Sequence, residues 1–298
     1  MSTCLVAGIT GRVGRAAARH LLAHGQRVRG YVRDPAAARG TLDPRVEVAA
    51  GDLGDARALA AAMRDTAGAY VMVPPVVDPS PGYAEARALA DTWRAALVEA
   101  AVPRAVVLSS LGSERTTGLG LITSTHILEQ TLGTLAPACA VAFVRAGGFL
   151  DNYAHAPAAA RATGVFDTFL APTDRGFPMV ASDDIGAEVA RLLAAPAWGG
   201  AGPHVVELAS FVSADELARA IGAAIGRDVT ARSIPREAWA AVIERFGVPR
   251  GRTAAYEEMT EAILAGKIWF RDDLDPPAER VAATTTPSEF FASRDAPR

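Results

Sequence analysis

Cysteine is almost missing from this sequence: Cys4 and Cys139 are the only two among 298 residues. Both sit in apolar runs, so they read as small buried side chains of a reducing compartment rather than a disulfide or a metal pair. No run of about 18 apolar residues occurs, which excludes a membrane-spanning helix. The first residues already have strand character, so no signal peptide is expected and a cytoplasmic location is. Neither sign of charge prevails, with 30 basic against 33 acidic residues. That removes the electrostatic case for nucleic acid or an anionic membrane. No G-x-S-x-G elbow surrounds Ser109 or Ser110, which sets a hydrolase aside. His20 and His24 are four apart on one helical pattern, but no acid completes a metalloprotease signature, and they read as surface histidines. Asp272, Asp273 and Asp275 read as a solvated loop, and the basic turn 249–252 is too small for nucleic acid.

What is present is a core-forming chain, half hydrophobic and 21% charged, long enough for one large α/β domain or two ordinary ones. Its organising stretch is Thr3-Cys4-Leu5-Val6-Ala7-Gly8-Ile9-Thr10-Gly11-Arg12-Val13-Gly14-Arg15. An apolar run ends at a glycine and an Ala- and Leu-rich helical pattern, 16–24, starts at once. Gly8 permits a sharp exit from the strand. Gly11 clears space where backbone N–H groups approach a pyrophosphate, and Gly14 lets the helix lie close on the strand. The helix N-terminus adds oriented donors and partial positive charge. The spacing is G-x-x-G-x-x-G rather than the commoner G-x-G-x-x-G, yet its place directly after a strand predicts a dinucleotide site.

Residues 27–32 form a second expected strand, with Arg33 at its tip. An acid there suits the 2′-hydroxyl of NAD and an arginine the 2′-phosphate of NADP. Arg33, with Arg12 facing it, therefore favours NADP(H); the alternative is a solvated Arg33 with Asp34 on the ribose. A third strand, 46–50, leads to Asp52 and Leu53, placed to meet adenine, although Asp52 or Asp55 is also a candidate cap for the next helix. The fourth strand, 69–73, ends in Val73-Pro74-Pro75, an extended exit over the cofactor. A helix over 83–101, a fifth strand, 105–108, ending Ser109-Ser110, a helix over 121–135 and a sixth strand, 140–145, follow. This alternation predicts a doubly wound parallel α/β sheet over 1–150, with a smaller lobe over 151–298 from which a helix near 183–195 returns to the first unit. That helix is expected to carry an Asp cap, and the tail around Thr286 to read as a capped helix.

Several stretches together resemble the NmrA-like family of atypical short-chain dehydrogenases/reductases, and within it the NADPH-dependent quinone oxidoreductases. They are the glycine turn, Val32-Arg33-Asp34-Pro35, Gly51-Asp52, Val73-Pro74-Pro75, Leu108-Ser109-Ser110-Leu111-Gly112, His126-Ile127-Leu128-Glu129, Gly147-Gly148-Phe149-Leu150-Asp151-Asn152-Tyr153 and Asp184-Ile185-Gly186. The resemblance implies a Rossmann-type domain with NADP(H) in its cleft, Gly148 and Phe149 beside it, and a small-molecule substrate. A homodimer is the one assembly left open. It also implies a departure. Short-chain reductases use Ser, Tyr and Lys, with Tyr four residues before Lys; here Ile122 and His126 stand in those two places. Hydride transfer to a simple ketone creates a basic alkoxide that needs a proton donor. A quinone or comparable activated acceptor gives a stabilised phenolate that water can protonate. The expected chemistry is therefore reduction of an activated acceptor, with His126, Ser110, Asn152 and Tyr153 as the candidate catalytic residues. His126 is expected to hydrogen-bond the ribose, and Tyr153 is either a phenol at the acceptor or packing for the lobe. Two other readings stand beside it: a redox sensor that binds NAD(P) without turnover, and a pathway enzyme using the fold for non-redox chemistry.

Overall fold

The computed structural model describes residues 2–198, 202–274 and 277–295. The first half alternates without interruption: β1 (Thr3–Ala7), α1 (Arg12–Ala23), β2 (Arg27–Val32), α2 (Pro35–Ala38), β3 (Glu47–Ala50), α3 (Ala56–Met63), β4 (Gly68–Val71), α4 (Ala84–Glu99), β5 (Arg104–Ser110), α5 (Thr123–Leu132) and β6 (Ala140–Ala146). The second half is less regular: β7 (Gly148–Phe149), α6 (Ala156–Thr163), β8 (Val165–Thr168), β9 (Gly176–Val180), α7 (Ser182–Ala194), β10 (His204–Leu208), β11 (Ser210–Ser213), α8 (Ala214–Ile225), β12 (Thr230–Ser233), α9 (Trp239–Arg245), α10 (Ala254–Leu264), β13 (Glu279–Val281) and α11 (Pro287–Asp295).

Eight strands make one sheet in the order β13-β10-β6-β5-β4-β1-β2-β3, and every pairing in it is parallel. Parallel strands covered on both faces are apolar throughout rather than alternating, and all five residues of β1 are buried. One face packs against α3, α4 and α5 around Leu59, Trp93 and Leu128. The other packs against α1 and α7 around Leu21, Ile185 and Val189. Helices α1 and α7 touch so closely that a Cβ on Gly186 would overlap Ala16, which is why a glycine stands there. Burial pushes the thiols of Cys4 and Cys139 up to about 11, so neither is a thiolate at neutral pH.

Beyond residue 150 the chain divides differently from a simple second lobe. β10 and β13 extend the large sheet past β6, and α7 covers its face. The remaining lobe is built from α6, β8, α8 and α11 around Phe166, Phe177, Leu217 and Phe291. Nothing local in a strand of three to five residues states which sheet it will join. The expected Asp cap on α7 is corrected: Ala181 is its N-cap, and Asp151 Oδ2, from another segment, accepts from Ser182 N at 2.8 Å. Asp184 instead accepts from Thr284 and Thr285. Thr286 and Glu289 cap α11 reciprocally. Of the acidic cluster, Asp272 pairs with Arg280 and Asp273 with Arg271; Asp275 lies outside the described residues.

Candidate dinucleotide and acceptor site

The sheet order reverses at β1, whose two neighbours are β4 and β2, and the crevice at such a reversal is where doubly wound sheets bind ligands. The glycine turn forms one wall. Gly8 takes φ +57°, Gly11 N donates to Gly8 O at 2.8 Å, and a Cβ on Gly14 would overlap Gly8 O. Gly11 is the N-cap of α1 in extended conformation, with no side-chain cap and no acid in the first turn. The first amides of α1 are thereby left for an outside acceptor, an arrangement suited to a pyrophosphate. Arg15 braces the turn by donating to Thr10 O. Thr10, Gly11, Arg12, Arg15, Asp151 and Ser182 line the adjoining groove. The buried Ser182 hydroxyl has no partner among the described residues.

At the adenosine end, Arg12 and Arg33 are both exposed, and neither has an ion pair or hydrogen bond among the described residues. Asp34 Oδ1 accepts from Ala36 N and Ala37 N as the cap of α2. Asp55 caps α3, while Asp52 Oδ1 accepts from Gly54 N at 2.8 Å, so the cap belongs to Asp55 and Asp52 stays at the rim beside half-buried Leu53. Sequence reasoning missed Tyr31: its hydroxyl donates to Asp52 O at 3.0 Å, and its ring occupies the space a Cβ on Gly51 would need.

At the other end, Val73 is half-buried and Pro74 and Pro75 are exposed on the exit from β4. Ser109 does not face this crevice. It is buried, and its hydroxyl donates to Glu129 Oε1 at 2.6 Å. Glu129 also takes both prongs of Arg145, and Arg145 Nη1 lies 3.3 Å from Glu114. Ser109, Arg145, Glu207 and Arg280 stand directly opposite one another across β5, β6, β10 and β13. The lone arginine in the apolar run 140–145 was the available signal for this buried row.

Ser110 remains half-buried, its hydroxyl on Leu111 O at 3.1 Å. His126 Nδ1 lies 2.7 Å from Ser113 O, and a carbonyl can only accept, so Nδ1 carries the hydrogen. Nε2 is then an acceptor on the neutral ring. Ile122 is buried in a satellite cluster with Leu111, Leu119 and Ile268, and offers no polar atom. Asn152 is exposed, with Gly148 exposed and Phe149 half-buried nearby on β7. Tyr153 is half-buried at the start of the lobe. Its ring meets Phe166 edge-on at 5.5 Å, its hydroxyl bonds Thr168, and burial pushes the phenol up to about 12.

The fold and the turn define a dinucleotide-binding α/β protein. The model of the NmrA-like family matches residues 1–281, and the chain belongs to that family. No curated protein matches the sequence. Among solved structures, an NADPH-dependent quinone oxidoreductase from Escherichia coli, complexed with NADPH, is 23% identical, covering 98% of this chain and 99% of that one at a TM-score of 0.73. Citrobacter sp. triphenylmethane reductase complexed with NADP(H) is 20% identical over 99% and 100%, at 0.75. A nucleoside-diphosphate-sugar epimerase from Staphylococcus aureus is 17% identical over 98% and 100%, at 0.73. At these identities the likeness concerns the fold. No helix among the described residues is long and apolar enough to cross a membrane.

Proposed function

We propose that the chain is an NADPH-dependent reductase acting on a quinone or a similarly activated carbonyl or enone. The observation that supports this reading is that Ile122 stands where a short-chain reductase would carry its tyrosine, four residues before His126. Ile122 is apolar and buried, and the Tyr153 hydroxyl is committed to Thr168 inside the lobe. The residues fit the nucleotide: Gly8 takes a left-handed backbone, a Cβ on Gly14 would overlap Gly8 O, and the α1 N-terminus has no side-chain cap. The amides of Arg12 and Val13 hold the pyrophosphate, Arg12 and Arg33 bracket the 2′-phosphate, and Asp52 with Leu53 meets the adenine. His126 Nε2 accepts from a ribose hydroxyl, with Val73, Pro74 and Pro75 as the wall above and Asn152 and Ser110 toward the acceptor. The nucleotide, when bound, supplies hydride; nothing on the chain needs to supply an acid if the reduced acceptor is a stable anion. The fold is shared with an NADPH-dependent quinone oxidoreductase and with a triphenylmethane reductase that binds NADP(H), which supports the reading.

The test is NADPH oxidation by the purified chain against a panel of quinones, enones and simple ketones. Quinones and enones should be turned over and simple ketones barely at all. Efficient reduction of an unactivated ketone would overturn the reading, and tight NADPH binding without turnover of any acceptor would leave a nucleotide-binding sensor instead.

A further inference from the structure

Tyr83 has an unusual backbone for an aromatic residue. It takes φ 57° and ψ 49°, left-handed, directly after Gly82 in the same region at φ 69°, and leads into α4. An L-residue with a bulky side chain is disfavoured in this conformation, where its Cβ crowds the following carbonyl. Outliers of this kind persist where surrounding structure holds them, often at ligand sites. Here the ring packs partly on the core of α3, α4 and α5, and the hydroxyl donates to Gly120 O at 2.7 Å.

The place of that contact matters. The segment after β4 starts with Val73-Pro74-Pro75 and ends at Tyr83; the segment after β5 starts past Ser110 and ends at Gly120–Ile122, one turn before His126. Both leave the carboxyl ends of strands on the side of the crevice opposite the glycine turn. Helix α10 closes on the same point, since a Cβ on Gly120 would overlap Ala255 O. Arg252 reaches across to Asp78 at 2.8 Å beside it. Tyr83 is only half-buried in this junction. Gly120 O already accepts from Thr123 N in the short turn ahead of α5. The Tyr83 hydrogen is thus a second donor on a satisfied carbonyl, and can turn to another acceptor without stranding a buried group.

We propose that the Tyr83 hydroxyl is the donor that binds the acceptor's carbonyl oxygen, the contact that neither Ile122 nor Tyr153 can make. This rests on the reductase reading. It makes Tyr83 a residue that selects oxygen-bearing acceptors and not a source of the proton, which comes from water.

The test compares the full chain with Tyr83→Phe. Calorimetry on protein saturated with NADP⁺ measures the Kd of menadione and of 2-methylnaphthalene, the same ring system without carbonyl oxygens; steady-state rates with menadione and Tm complete the set. Tyr83→Phe should raise the menadione Kd and KM by about 3- to 10-fold, the range for one lost hydrogen bond. It should leave Tm, NADPH affinity and 2-methylnaphthalene binding unaltered. Unchanged menadione binding and turnover in the variant would overturn the role of Tyr83 alone. An equal loss for both ring systems, or a fall in Tm, would make Tyr83 a packing residue and equally overturn it. Failure of the unaltered chain to oxidise NADPH with any acceptor would overturn the reductase reading and this proposal with it.

Discussion

Glu129 and Arg145 form a two-pronged ion pair in the interior, with Nε–Oε1 at 2.9 Å and Nη2–Oε2 at 2.7 Å, while the same carboxylate takes the Ser109 hydroxyl. The pair ties helix α5, which carries His126, to strands β5 and β6. Charges this deep are tolerable only because each is paired and hydrogen-bonded.

The two partners should not be equivalent. Arg145 also faces Glu114 and stands opposite Glu207, but Glu207 keeps Arg280 and Glu114 keeps Arg115 and Arg271, so Arg145→Met strands the buried Glu129 carboxylate. Glu129→Gln keeps the shape and leaves Arg145 its other acids. Arg145→Met should cost about 3–5 kcal/mol of stability, and Glu129→Gln clearly less. Urea denaturation checks this, and equal losses would show that Glu114 and Glu207 do not share the guanidinium.

Arg33 bears on cofactor choice. Its guanidinium is exposed at the end of β2, and Asp34 beside it is engaged in capping. Loss of a charge-assisted contact is worth about 1.5–3 kcal/mol, or roughly tenfold or more in affinity. Arg33→Ala should therefore weaken NADPH by that factor and leave NADH nearly unchanged. If the unaltered chain binds both nucleotides equally in a fluorescence titration, the assignment of the 2′-phosphate to Arg33 is wrong.

His126 bears on the ribose. With Nδ1–H held by Ser113 O, only Nε2 can meet a hydroxyl. His126→Asn can keep a donor to Ser113 O while offering nothing at the place of Nε2. It should raise the NADPH Kd by roughly 2- to 10-fold, one neutral hydrogen bond, with the Tm retained. Retained affinity together with retained turnover would make His126 structural.

Tyr153 bears on alkaline stability. Burial, the main cause, pushes its folded-state pKa from the ordinary tyrosine value of 10.0 up to about 12. The folded chain therefore keeps the phenol proton longer than the unfolded chain. Stability is fully present below the unfolded pKa and falls as pH rises through the window from 10 to about 12, by up to ~1.4 kcal/mol per pH unit. Tyr153→Phe should flatten the decline of Tm in that window and leave turnover at neutral pH close to the unaltered chain. A collapse of turnover in Tyr153→Phe would return this phenol to the acceptor.

What could be read without the structure is what short stretches dictate by themselves. The turn Gly8–Gly14 needs left-handed and side-chain-free backbone, the central strands β1 and β4 are short buried runs, and Arg33 follows from the end of β2; each depends on neighbours in the chain. What the tertiary structure decided depends on residues far apart in sequence. Ser109 reads like a crevice serine until a carboxylate twenty residues on is seen to hold it from within. Tyr153 and Tyr83 are both phenols near strand ends. One is drawn into the lobe core by Phe166 and Thr168, and the other is set in the seam against Gly120. β10 joins the open edge of β6 with Glu207 opposite Arg145, and β13 then joins β10 with Arg280 opposite Glu207. Hydrophobic period and turn chemistry act over a few residues, whereas a buried polar group takes whichever partner the packing brings to it, and that choice exists only once the chain has folded.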